Sequence, residues 1–94
     1  MVSYLTQVDL YVSCRNLADL DILSKSDPIC FLSEYNEMTK SWIKLGQTEQ
    51  IANNLNPDFM TRFTLNYFYE QIQMLKFTVV DADGAGDHDL IGEV

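Results

Sequence analysis

The stretch from residue 59 to residue 67 constrains the fold more than any other. Phe59, Thr61, Phe63, Leu65 and Tyr67 fall at every second position, with Met60, Arg62, Thr64 and Asn66 between them. Only a β-strand sends successive side chains to opposite faces, so this segment predicts a strand with one buried face and one solvated face. The same period recurs at Val8, Leu10, Val12 and Cys14, and at Leu75, Phe77 and Val79. Pro28 opens a short apolar run over residues 29–32, the polar residues 36–40 read as a hairpin turn, and residues 42–48 read as a strand returning antiparallel. Residues 53–58 hold three Asn and a Pro and predict a loop, because Asn favours turns and the residue before Pro is pushed out of the helical region. Residues 69–73 suit a bulge or a helical turn, and residues 90–94 begin a sixth strand. Short strands separated by loop signals predict an all-β, antiparallel sandwich.

The 94 residues are enough for one domain, 1–94, and a chain of this size buries only about two thirds of its unfolded surface. Six basic residues against 14 acidic ones give a formal net charge of −8, which repels nucleic-acid phosphate and makes cations the natural complement. No run approaches the roughly 20 apolar residues of a membrane span, and the first residues lack the basic and apolar regions of a signal peptide. The expected location is therefore cytoplasmic. Cys14 and Cys30 do not form a CxxC pair, and they read as reduced, buried apolar side chains. No nucleophile, histidine and acid can be assembled into a catalytic set, and no Gly-rich phosphate loop is present, so the chain is read as a binding module and not an enzyme.

Seven of the nine aspartates fall in two loops: Asp19, Asp21 and Asp27 in the first, and Asp81, Asp83, Asp87 and Asp89 in the second. Crowded carboxylates repel one another, so a folded chain must keep them solvated and apart or neutralise them with a hard cation. The second loop has Asp at positions one and three and Gly at position six, as an EF-hand calcium loop does. That reading fails, because position five is Ala85, position twelve is Gly92 where a bidentate Glu is needed, and the flanks read as strands. The remaining alternatives are two solvated acidic turns, or two loops that share one site at the end of a sandwich.

The spacing of Asp21 and Asp27, followed far downstream by Asp81, Asp83 and Asp89 and then by Leu90-Ile-Gly-Glu93, resembles a calcium-binding C2 domain. Val12-Ser-Cys-Arg-Asn-Leu17, Ser24-Lys-Ser-Asp-Pro28, Tyr67-Phe-Tyr-Glu-Gln71 and Leu75-Lys-Phe77 resemble more narrowly the first C2 domain of the copines. The resemblance implies a C2-type sandwich of eight strands, of which the chain supplies five and the beginning of a sixth, so the domain is expected to stop short of its last strands. It implies a site for two or three Ca2+ ions in which Asp21 and Asp83 bridge two of them, Asp27, Asp81 and Asp89 complete the shells, and carbonyls near Leu20 and Ala82 add neutral oxygens. Calcium takes six to eight oxygens, so five carboxylates leave room for water or lipid phosphate.

The implied function is docking to a phospholipid membrane when calcium rises, with Ile22, Leu23 and Ala85 at the lipid-facing tips. The alternative is a C2-like interaction or scaffold domain whose partners are proteins and in which calcium is structural or absent. Basic residues that would grip anionic lipid are few, with Arg62 standing almost alone on its strand. His88 lacks a second soft ligand and reads as orienting its loop. Trp42, Phe59, Phe63, Tyr67 and Phe77 are expected in the core. With strands missing, a 94-residue molecule is expected to be weakly stable or to be completed by strand exchange in a dimer.

Overall fold

Alternation carries through to six strands: β1 (Leu5–Ser13), β2 (Pro28–Asn36), β3 (Ser41–Gln47), β4 (Asp58–Phe68), β5 (Leu75–Ala82) and β6 (His88–Glu93). They are seen in a computed structural model that describes residues 5–18, 27–68, 72–82 and 88–94. All pairings are antiparallel, and they build two sheets, β1-β4 and β3-β2-β5-β6. The architecture is an all-β antiparallel sandwich, and no helix occurs among the described residues.

The inner faces of the two sheets follow from register. Cys30 lies opposite Val79, and Leu32 opposite Phe77, so these residues share one face of the larger sheet. Cys30 and Leu32 are completely buried there, and Phe59 and Phe63 on β4 are buried as well. Gly46 lies opposite Leu32, and a β-carbon at Gly46 would sit 3.3 Å from a Phe63 ring carbon. The absence of a side chain at this position is what lets the Phe63 ring approach β3.

A second apolar cluster lies on the outer face of the same sheet, where Ile29, Val80 and Ala82 are buried together and Phe31 packs against them. The loop after β3 is tied to this end. Thr48 donates its N–H to the Cys30 carbonyl (2.8 Å), Ile51 donates to the Pro28 carbonyl (3.2 Å), and Cys30 donates back to Thr48 Oγ1 (2.9 Å). Glu49 fastens the loop to the opposite sheet. Its carboxylate accepts the N–H groups of Met60 (2.6 Å) and Thr61 (3.2 Å) and the Thr61 hydroxyl (2.6 Å). These donors hold the Glu49 carboxyl below its ordinary range, the Thr61 hydroxyl contributing most.

Two aromatic expectations are corrected. Trp42 is 38% exposed and Tyr67 44% exposed, so neither is a core residue. Trp42 faces outward because it lies opposite Tyr35 on the face away from Leu32, and Tyr67 sits one position from the end of β4, opposite Thr6. Cys30 is fully buried, and desolvation, with a smaller contribution from Cys14, pushes its thiol up to about 11; Cys14 lies just after β1 and is only partly buried.

Candidate metal centre

Two of the expected ligands come together where β2 begins and β5 ends. Asp81 lies opposite Pro28, on the inner face with Cys30 and Val79, and this placement at the sheet end leaves it only 1% exposed. Asp27 immediately precedes β2. Its N–H donates to Asp81 Oδ1 at 2.9 Å, and its carbonyl accepts the N–H of Ala82 at 3.0 Å. The chain therefore continues the β2-β5 pairing one step past the strand end, which pins the two aspartates side by side.

The Asp27 carboxylate is itself held from a third direction. Asn53 donates its N–H to Asp27 Oδ1 at 2.7 Å, and it can do so because its φ of 52° turns the loop back towards β2. Asn tolerates this left-handed conformation better than most residues with a side chain. Gln50, on the same loop, donates Nε2 to the Ala82 carbonyl at 3.3 Å. That carbonyl has a second lone pair, so the bond leaves it able to accept again. Gln50 and Asn53 are the members of this end that sequence reading missed. The left-handed propensity of Asn was a signal for the turn at Asn53, but nothing in the spacing showed which carboxylate the turn would reach.

Asp89 is opposite Asp81 in the β5-β6 register, so its backbone reaches the same end of the sheet. The side chains of His88 and Asp89 fall outside the description, as do Leu20, Asp21, Ile22, Leu23, Asp83 and Ala85 altogether. Among the described residues no group of three or more His, Cys, Asp or Glu side chains is gathered for a metal.

The donor chemistry can be tested on what remains. Asp81 Oδ2 is buried and meets no hydrogen-bond partner among the described residues. A buried polar atom without a partner costs about 1–3 kcal/mol, more when it carries charge, so folded proteins seldom leave one unsatisfied. Oδ1 is fixed by Asp27, which orients the carboxylate and leaves Oδ2 as a free hard oxygen. Together with the Asp27 carboxylate and the Ala82 carbonyl, this is an all-oxygen set, and it fits Ca2+ better than a metal that prefers nitrogen or sulfur.

The fold agrees with what known proteins show. The family model of the C2 domain matches residues 8–94. Copine-E of Dictyostelium discoideum is 45% identical over 98% of this chain, and Nicotinic receptor-associated protein 1 of Caenorhabditis elegans is 41% identical over 93% of it. The chain spans 17% of the length of each of these relatives. Among solved structures, BON1-C2B superposes with a TM-score of 0.72 at 28% identity, over 98% of this chain and 63% of that one. Human GIVD cytosolic phospholipase A2 superposes with a TM-score of 0.78 at 22% identity, over 98% of this chain but only 12% of the phospholipase, a likeness of fold alone. The match to one non-catalytic module runs over almost all the described strands, and the chain belongs to the C2 domain family, closely related to the C2 domains of copines.

Proposed function

We propose that this C2 domain is a calcium-dependent membrane-docking module. In this reading Asp21, Asp27, Asp81, Asp83 and Asp89, with the carbonyls of Leu20 and Ala82, hold two or three Ca2+ ions at one end of the sandwich. The observation that carries it is the buried, unpartnered Asp81 Oδ2 beside Asp27. When bound, calcium supplies hard positive charge with coordination positions open to lipid phosphate oxygens. The residues of the chain hold the carboxylates in place: Asp27 orients Asp81, Asn53 orients Asp27, and Gln50 ties the Ala82 carbonyl to the neighbouring loop. Ile22, Leu23 and Ala85 are the proposed lipid-facing tips. The protein would be cytoplasmic and recruited to membranes as calcium rises.

A second reading is favoured by the described residues taken alone. Asp27 and Asp81 already act as structural ties, and no third metal-ligating side chain joins them among the described residues. On that reading the domain binds proteins, and calcium is structural or absent. Sedimentation with phosphatidylserine vesicles, in calcium and in chelator, separates the two. Calcium-dependent pelleting is expected from the first, and equal, low pelleting in both conditions supports the second. Strand exchange in a dimer belongs to either reading, and light scattering at micromolar concentration tests it.

A further inference from the structure

The outer face of the larger sheet carries a patch that the acidic end does not use. Trp42 stands edge-on to Tyr35, with ring centroids 5.4 Å apart. Lys76 Nζ lies 4.6 Å from the Trp42 ring centre, and Lys44 Nζ lies 4.5 Å from that of Phe31. Register explains the grouping, because Lys44 and Lys76 both lie opposite Ser33, on the two strands that flank β2. In a chain of net charge −8, residues 38–48 hold two of the six bases and none of the 14 acids. Glu93 approaches Lys76 at 3.7 Å and offsets part of its charge, while Lys44 gives one hydrogen bond to Gln47 Oε1 at 2.7 Å and keeps two further donors.

The patch adjoins a free strand edge. β3 is the end strand of its sheet, and its outer backbone groups meet no strand among the described residues. Natural edge strands are usually short, covered or heavily charged, because an open edge pairs with other chains. Here seven residues stand open, with Ile43 and Leu45 43% and 45% exposed. The two faces of β3 differ in chemistry. Trp42 and Lys44 point outward with the basic patch, whereas Ile43 lies opposite Glu34 on the inner side and Leu45 lines a cleft of about 270 Å3 with Thr64, Leu65 and Asn66.

We propose that the β3 edge binds an extended partner segment that alternates acidic and apolar residues, adding as a further strand. Its acidic side chains would lie beside Lys44 and Trp42, and its apolar ones beside Ile43 and Leu45. Backbone pairing supplies affinity, and the alternation supplies direction and register. A protein segment is favoured over a lipid headgroup because the unpaired backbone edge is satisfied by another strand, while a headgroup would engage only the lysines. The inference gives the protein-binding reading a location, and it needs no calcium.

Trp42 is the single tryptophan, so its emission reports on this edge directly. In chelator, the protein is titrated with a nonapeptide of alternating Glu and Val, with the matching Lys and Val peptide, and with phosphatidylserine vesicles. Saturable change with the Glu-Val peptide is expected, with a midpoint below about 1 mM, and none with the Lys-Val peptide. N-methylation of alternate Glu-Val amides, on the edge that would pair, should abolish binding while leaving charge intact. The double variant Lys44→Glu with Lys76→Glu should lose at least tenfold in affinity for Glu-Val and should gain binding of Lys-Val, an exchange that an unfolded variant cannot give. Equal binding of the N-methylated peptide would overturn strand addition. A response to vesicles with none to the Glu-Val peptide would overturn the protein partner and assign the patch to lipid. Because every arm is run in chelator, failure here leaves the calcium reading standing, and failure of calcium-dependent pelleting leaves this one standing.

Discussion

Asp81 concentrates the chemistry of this chain in one side chain, since one carboxylate oxygen is satisfied by the Asp27 N–H and the other is buried with no partner among the described residues. Asp81→Asn keeps an acceptor for Asp27 and removes the charge. We expect calcium affinity to fall at least tenfold, while the melting temperature in chelator stays within about 3 °C of the parent; titration calorimetry and thermal melts read the two separately. A purely structural Asp81 would give the opposite pattern. Glu49 makes a different prediction. Its carboxyl is held below the ordinary value of 4.5 in the folded state, so its stabilisation is present above about pH 4.5 and is lost as pH falls through the lower, folded value. Glu49→Gln should therefore flatten the acid side of the stability-pH curve. At neutral pH it should cost about 1 kcal/mol, since the groups are partly solvated and the amide cannot accept all three donors. Urea melts between pH 3 and pH 7 measure both effects.

At the scale of the element, the strands were legible and their faces less so. Period-two alternation located β1, β4 and β5, and the Pro28 start and the hairpin read at residues 36–40 located β2 and β3, because burial on one face writes itself into every second residue. Trp42 shows the limit. Its aromatic character fits a core, but β3 is an edge strand and Trp42 lies on the sheet's outer face beside Tyr35 of β2, and a sequence does not show which strand lies at an edge. The same gap hid the basic patch, since Lys44 and Lys76 are 32 residues apart and meet only through β2. The candidate site divides likewise. Aspartate spacing pointed to Asp27 and Asp81, which the fold does bring together, but the hydrogen bonds of Gln50 and Asn53 depend on a loop packing that no local pattern encodes. Contact between the sheets also has a sharp point. Phe63→Ala should cost about 3–5 kcal/mol by opening a cavity against Gly46, and Gly46→Ala should cost less, because the Phe63 ring edge has to give way by only a few tenths of an ångström. Denaturant midpoints of the two variants check the order.

For the whole molecule, the distribution of charge decides how calcium and stability are coupled. A net charge of −8 on 94 residues opposes compaction, and among the described residues two aspartates, Asp27 and Asp81, lie side by side with their repulsion to be met. The fold meets it there with backbone donors instead of basic side chains: the only ion pairs among the described residues, Arg15–Asp58, Arg62–Asp9 and Lys76–Glu93, involve neither Asp27 nor Asp81. Under the calcium reading that charge is neutralised in the native state alone, because the unfolded chain does not hold Asp27 and Asp81 together. Ligand at about 100 times its dissociation constant then adds about 2.7 kcal/mol, and for a domain of this size that raises the melting temperature by roughly 10–20 °C. Magnesium at the same concentration should shift it far less, since a small octahedral ion suits a carbonyl-supplemented site poorly. Two dications would also bring the formal charge from −8 to about −4, weakening repulsion from an anionic lipid surface. Raising the salt to about 0.5 M separates the two contributions. Screening should raise the melting temperature in chelator by reducing repulsion, and the increment from calcium should shrink without vanishing, because coordination at a buried oxygen is screened much less than exposed charge. An increment that vanishes in salt would assign the whole effect to diffuse charge and leave Asp81 Oδ2 without a role in binding.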